Sequence, residues 1–146
     1  MTMDNIKNYI LAALAASGAF IAELLGGWDW SLQSLIIFIS IDFILGLLVA
    51  GVWGKSNKTV SGKLDSKACW QGLIRKGGIL LVVLIASRLD IVMNTNGFVR
   101  TAVILYFIGN EGISIIENLG IMGVPFPKWL KEKFENLKEK NEKLEK

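Results

Sequence analysis

The amino-acid sequence predicts an all-α membrane protein, a bundle of about four transmembrane helices followed by a charged, water-facing C-terminal cytoplasmic helix. Hydrophobic residues make up 52% of the 146 residues, and the mean hydropathy is positive. Charged residues make up 20% of the chain, and they cluster in a middle segment and near the C-terminus. A bilayer imposes such segregation, because a spanning helix needs about 20 mostly apolar residues.

Four apolar stretches are the candidate spans, at about residues 6–25, 30–53, 73–93 and 99–119. The second stretch has a tryptophan at each end, where aromatic residues are enriched at membrane interfaces. Gly26-Gly27 ends the first stretch, and Asn94-Thr-Asn-Gly97 resembles a turn before the fourth. A membrane domain is thus predicted over residues 1–126, with a charged cytoplasmic tail over residues 127–146.

Basic residues indicate how the chain is oriented. Six of them lie in or beside the polar loop of residues 54–72, against one acid, Asp65: Lys55, Lys58, Lys63, Lys67, Arg75 and Lys76. Seven lysines lie in the tail. Because positively charged segments stay on the cytoplasmic side, four spans place both termini in the cytoplasm. A three-span arrangement, with the first segment lying on the membrane surface, is the main alternative.

The residue content argues against most enzyme chemistry. The chain has no histidine, which is the commonest metal ligand and general base, and its one cysteine, Cys69, cannot form an internal disulfide. We find no catalytic, metal-binding or cofactor-binding motif, and no nucleic-acid-binding motif accompanies the basic residues. The prediction is a protein that is not an enzyme and needs no cofactor. Its net charge of +3 favours contact with anionic membrane lipids.

Small residues form a stripe on the first span. At about 100° per residue they fall, together with Gly26, within an arc of about 120°: Ala12, Ala15, Gly18, Ala19 and Ala22. Such a stripe lets a second helix approach closely, and close packing drives association inside a membrane. The partner helix can belong to the same subunit or to another one.

Polar residues form a second stripe, on the fourth span, again within an arc of about 120°: Asn110, Glu111, Ser114, Glu117 and Asn118. Carboxylates at membrane depth face lipid only at high cost, so this side must meet partner helices or water. Two interpretations stay open. The stripe is either a polar seam inside one bundle or the lining of an aqueous pore between assembled subunits.

A further prediction concerns charges inside the membrane. Asp42 lies about 18 Å below Trp30 by helical rise, and Glu111 lies at about the same depth below Val99. Counted outward from Lys76, Arg88 comes close to that level. Since a buried charge needs a partner, we predict that Arg88 pairs with Asp42 or Glu111.

A series of segments from Ser40 to Lys133 has a recognisable order and spacing. They are Ser40-Ile-Asp42-Phe-Ile-Leu-Gly46, Gly72-Leu-Ile-Arg75-Lys76, Asp90, Asn110-Glu111-Gly-Ile-Ser114-Ile-Ile-Glu117-Asn118, and Gly123-Val-Pro125-Phe-Pro127 with the charged tail. Together they resemble the toxin-secretion and phage-lysis holins of Gram-positive bacteria and their phages, including the holin-like exporter of clostridial large-toxin loci. The first span matches this family least.

The resemblance implies a homo-oligomeric protein of the bacterial cytoplasmic membrane that accumulates harmlessly and then assembles into pores or lesions. Through these lesions an endolysin leaves for host cell lysis, or a protein toxin is secreted, with no stable binding to either implied. The implied partners are further copies of the chain and membrane lipids, and no cofactor is needed.

Two other functions fit parts of the sequence. A small dimeric four-helix transporter would use a membrane carboxylate, Glu23, as its proton and cation site. Small size favours this alternative, whereas the basic loop and the charged tail do not. An intramembrane enzyme would need an acid pair among Asp42, Glu111 and Glu117, which lie in no protease context. The size of the oligomer would distinguish a transporter from a holin, because a dimer supports transport and large assemblies support a holin.

Overall fold

A computed structural model describes residues 2–142, which form five α-helices and no β-strand. The helices are α1 (Met3–Leu24), α2 (Trp30–Leu48), α3 (Ser66–Met93), α4 (Phe98–Ile121) and α5 (Lys128–Glu142), and a π-helical turn, Val49–Trp53, continues α2. The all-α prediction is confirmed for this part of the chain. Residues 143–146 of the predicted tail lie outside the described residues.

Local signals explain where these helices begin and end. The Asp29 carboxylate accepts a hydrogen bond from the Leu32 backbone N–H at 2.9 Å and caps α2. Asp65 caps α3 in a similar way through the Lys67 N–H at 3.1 Å. Asparagine and aspartate favour such positions because their short side chains satisfy free backbone groups. Asn94 ends α3 in the left-handed conformation, with φ 55°.

Two of the described helical segments are long and apolar enough to cross a membrane, Trp30–Trp53 and Phe98–Ile121. They correspond to the second and fourth predicted spans. Helix α1 has 22 residues and α3 has 28, so both are long enough by length alone. Their composition is less apolar, because α1 carries the charged residues Asp4, Lys7 and Glu23 and α3 carries five charged side chains: Lys67, Arg75, Lys76, Arg88 and Asp90.

Helix α4 lies at the centre of the bundle. It packs against α2 and α3, and also against α5. Its buried side chains Ile104 and Ile108 join a core with Leu32 and Leu35 of α2 and Val83 of α3. The core therefore holds the two most apolar helices together, with α3 beside them.

The fourth helix packed against this core is α5, whereas α1 lies outside the core. No residue of α1 is buried anywhere along its described length. The predicted water-facing tail instead lies against α4, with Leu130, Phe134 and Leu137 half-buried. Their spacing of four and three residues puts them on one helical face, which accounts for the packing.

Candidate functional site

A cluster of charged side chains lies between α2, α3 and α4. Asp42 of α2 is only 1% exposed, and its carboxylate lies 2.6 Å from the ammonium nitrogen of Lys76 on α3. The same nitrogen pairs with the carboxylate of Glu111 on α4, which is 3% exposed. The amide nitrogen of Asn118 donates to the other oxygen of Asp42 at 3.1 Å. One lysine thus joins three helices.

Helical geometry explains why these residues meet. Asp42 lies 12 residues after the start of α2, and Glu111 lies 13 residues after the start of α4. Both helices begin at the same end of the bundle, so equal counts give nearly equal depth at about 1.5 Å per residue. Helix α3 runs the opposite way and places Lys76 at that level.

The charges in this cluster balance. A second lysine, Lys58 of the loop before α3, lies 3.6 Å from Asp42, so two carboxylates face two ammonium groups. Within residues 2–140, every fully buried side-chain nitrogen or oxygen has a hydrogen-bond partner. Such satisfaction is what makes buried charge tolerable, because desolvation costs several kcal/mol per unpaired ion. Removing a single member should therefore destabilise the bundle.

The predicted pairing of Arg88 with Asp42 or Glu111 is wrong. The Arg88 guanidinium lies near the other end of α3 and donates to the Leu24 carbonyl at 3.1 Å. The predicted depth of Arg88 was counted from Lys76 as if Lys76 lay at the membrane surface. Helix α3 instead begins at Ser66, about 15 Å of helix before Lys76. Lys76 is therefore the residue that reaches the level of Asp42.

The structure places most of the predicted polar stripe in this cluster. Asn118 donates a hydrogen bond to Asp42, Ser114 lies in the same cluster, and Glu111 pairs with Lys76. Asn110 lines a cavity of about 310 Å³ beside them. Glu117 is exposed and stands apart from the cluster. In the single chain, Glu111 and Asn118 of the stripe are thus buried in a polar seam, and the role of the stripe as a pore lining stays a prediction.

A second polar cluster, at the opposite end of the bundle, was not predicted. Arg100 of α4 is 6% exposed, and its two terminal nitrogens lie 2.6 and 3.2 Å from the oxygens of Asp29. Its guanidinium also donates to the carbonyls of Leu25 at 2.5 Å and Gly27 at 3.1 Å. This hydrogen bonding by Arg100 lowers the pKa of Asp29 below its ordinary value. The sequence signal was the Gly26-Gly27 pair, whose backbone a guanidinium can approach closely.

Asp90 extends this outer cluster to the turn between α3 and α4. Its carboxylate accepts hydrogen bonds from the backbone N–H groups of Val99 at 2.9 Å and Arg100 at 2.8 Å. The hydroxyl of Thr95 donates to it as well. Asp90 therefore caps α4, while Arg100 ties the same helix to the turn after α1. We call Asp29, Asp90 and Arg100 the outer clamp.

Most of the small-residue stripe of α1 is exposed in the described part of the chain. Ala12, Ala15, Gly18 and Ala19 are exposed, and Ala22 is half-buried. The stripe is thus open to other molecules, and its use between subunits remains a prediction.

Comparison with known proteins gives a consistent set of matches. A family model described as the bacteriophage holin family matches residues 19–139. An uncharacterized 14.9 kDa protein of Clostridium perfringens is 36% identical over 139 residues, which cover 94% of this chain and 99% of that protein. A probable holin of Bacillus phage phi105 is 35% identical over 96 residues, 66% of this chain and 65% of the phage protein. No solved structure matches the chain.

Proposed function

Since this chain belongs to the bacteriophage holin family, we propose that it acts as a holin, assembling in the bacterial cytoplasmic membrane into pores or lesions. The family match over residues 19–139 is the observation that carries the proposal. Family membership and the two apolar helices together indicate a non-enzymatic membrane protein. The cargo of the lesions would be an endolysin, for host cell lysis, or a protein toxin.

The membrane arrangement that we propose has four spans, α1 to α4, with both termini in the cytoplasm. Helix α3 carries charge, but Asp42 and Glu111 neutralise Lys76 inside the bundle. Arg88 lies toward the end of α3 that meets the outer clamp, where a long side chain can reach water. These contacts support a third span despite its charges, because no ion of the cluster needs to face lipid.

The polar seam supplies an element with two states. In the single chain, Asp42, Lys76 and Glu111 satisfy one another in the interior. On assembly we propose that the helices separate and the polar face of α4 turns toward water between subunits. Hydration of the released ions then replaces their mutual pairing, which lowers the free-energy difference between the two arrangements. The open stripe of α1 would supply contacts between copies.

Reconstitution in lipid vesicles tests this function. Vesicles are loaded with solutes of graded size, up to a folded protein as large as an endolysin, and released solutes are measured. The oligomeric state is measured in the same vesicles by chemical crosslinking. A holin should give large assemblies and release the folded protein. Dimers that pass only protons or small cations would contradict the proposal and favour a transporter that uses Glu23.

A further inference from the structure

Helix α5 lies in a groove between α2 and α4 that two glycines make possible. We define this glycine groove by Phe38 of α2 and Gly109 and Gly112 of α4. A Cβ atom at Gly109 would lie 2.8 Å from the Phe134 carbonyl oxygen and 3.0 Å from the Lys138 backbone nitrogen. At Gly112 it would lie 2.5 Å from the Phe134 ring. The two helices therefore touch backbone to backbone, which larger side chains would prevent.

The glycine groove and the polar seam use different sides of α4. At about 100° per residue, Gly109 and Asn118 point in opposite directions, and Glu111 is about 160° from Gly109. The ring of Phe134 fills the groove and meets Phe38 edge-on, with ring centroids 5.6 Å apart. Loss of α5 would therefore leave the contacts of Asp42 and Lys76 with α4 in place.

The charge of α5 conflicts with this position in a membrane. Nine of its 15 residues are lysine or glutamate: Lys128, Lys131, Glu132, Lys133, Glu135, Lys138, Glu139, Lys140 and Glu142. Gly112 lies nine residues, or about 14 Å, before the end of α4, which places the groove at membrane depth if α4 spans. A charged side chain is costly to place at the bilayer centre. Lipid is therefore a poor environment for α5 in the groove.

We propose that α5 is a removable cover of the glycine groove, and that α4 of a second copy replaces it when the protein assembles in the membrane. The proposal rests on the holin function and adds the surface through which copies meet. Residues 122–127, with Gly123 at φ +80° and prolines on either side of Phe126, form a non-helical connection, so α5 is a separate helix and not a continuation of α4. Helix α4 of a second copy can occupy the groove at lower cost than α5, because it is apolar enough to cross a membrane and its own Gly109 and Gly112 allow the close contacts that stabilise helix pairs in lipid.

The test measures pairing of full-length copies in vesicles by crosslinking, separately from solute release. Phe134→Ala should weaken the cover and increase pairing several-fold, whereas Trp129→Ala, which changes a 62% exposed aromatic of the same helix, should not. Gly112→Leu should displace α5 and also block the second α4, so pairing should be lost. Unchanged pairing in Phe134→Ala, or full pairing in Gly112→Leu, would overturn the proposal.

A reversible disulfide between α4 and α5 tests the proposal even if Phe134→Ala fails to fold. The contacts of Gly109 and Gly112 with α5 define an antiparallel register that places Ile116 opposite Leu130. Cysteines at these two positions, in a Cys69→Ser background, should form a disulfide that holds α5 in place. Pairing should then be absent under oxidation and return with reductant. Equal pairing under oxidation and with reductant would contradict the proposal that α5 covers the glycine groove. Normal pairing of copies without solute release would contradict only the holin function.

Discussion

The ammonium nitrogen of Lys76 lies 2.6 Å from the carboxylate of Asp42, although the two residues belong to different helices. The same nitrogen also pairs with Glu111 of a third helix. The interior of the bundle is consequently held by charge as well as by its apolar core. The attraction within such ion pairs falls sharply when water enters, because water screens charges.

Lys76→Met should destabilise the bundle strongly. Two buried carboxylates then lose their shared cation, and removal of one partner from a buried ion pair costs about 3–5 kcal/mol. The measurement is thermal unfolding in detergent, together with protein abundance in membranes. Lys67→Met provides the control, because Lys67 is exposed on the same helix. Adding Glu111→Gln to Lys76→Met should restore part of the stability, and a wild-type unfolding temperature in Lys76→Met would refute the prediction.

Glu111→Gln should alter the timing or ion preference of lesions while membrane insertion persists. Glutamine keeps the shape of the side chain but weakens its hold on Lys76, so the polar face turns toward water more easily. Ile115→Val is the control, because Ile115 lies on the same helix outside the polar stripe. Conductance in planar bilayers and the onset of lysis are the readouts. If both variants behave alike, the position of Glu111 in the seam has no functional importance.

The outer clamp should weaken in acid. The pKa of Asp29 is lowered in the folded chain, so its stabilising effect is complete above the ordinary value of 3.8. That effect disappears as the pH falls through the lowered folded pKa. Thermal unfolding across this acidic range should show a steeper loss of stability in the parent chain than in Asp29→Asn. Parallel pH profiles of the two proteins would show that the pair with Arg100 contributes nothing.

Ala15→Leu or Ala19→Leu should weaken assembly without unfolding the chain. Both positions are exposed on α1, so the change in unfolding free energy should stay within about 0.5 kcal/mol. A leucine on the small-residue stripe would nevertheless separate helices that pack closely between copies. Crosslinking in membranes measures assembly, and Leu14→Ile is the control on another side of α1. Assemblies of normal size in the alanine variants would indicate that this stripe faces lipid.

Fusions to a reporter that is active only outside the cytoplasm test the orientation. A reporter at Lys146 or in the loop at Asn57 should be silent, because basic segments stay inside. An insertion at Asn96, in the turn between α3 and α4, should be active. Activity at Lys146 would reverse the proposed orientation, and activity at both Asn57 and Asn96 would show that α3 does not span.

Helix positions were largely predictable because they depend on local composition. The second predicted span, 30–53, has the bounds of α2 with its π-helical turn, and the fourth, 99–119, differs from α4 by a residue or two at each end. The third predicted span, 73–93, begins seven residues after the start of α3, because the polar first turns of α3 have the low hydropathy of a loop. The Asp65 cap was the available signal for its true start.

Contacts between helices were harder to predict, since they depend on which side chains meet in space. Depth counting selected Arg88, although Lys76 is the cation that reaches Asp42. The groove on α4 was missed for a similar reason. Gly109 and Gly112 have no signature of their own, and only the approach of Phe134 shows why glycine is needed there.

The attachment of α1 has a mechanical consequence. Arg88 and Arg100 hold only its last turn and the residues that follow, through the carbonyls of Leu24, Leu25 and Gly27. Helix α1 is about 33 Å long and is attached at its C-terminal end, beside Gly26-Gly27. A rotation of about 10° about this attachment would move the N-terminal end of α1 by about 6 Å, more than one helical turn of about 5.4 Å. Small angular changes at the outer clamp would thereby become large displacements at the N-terminal end of α1.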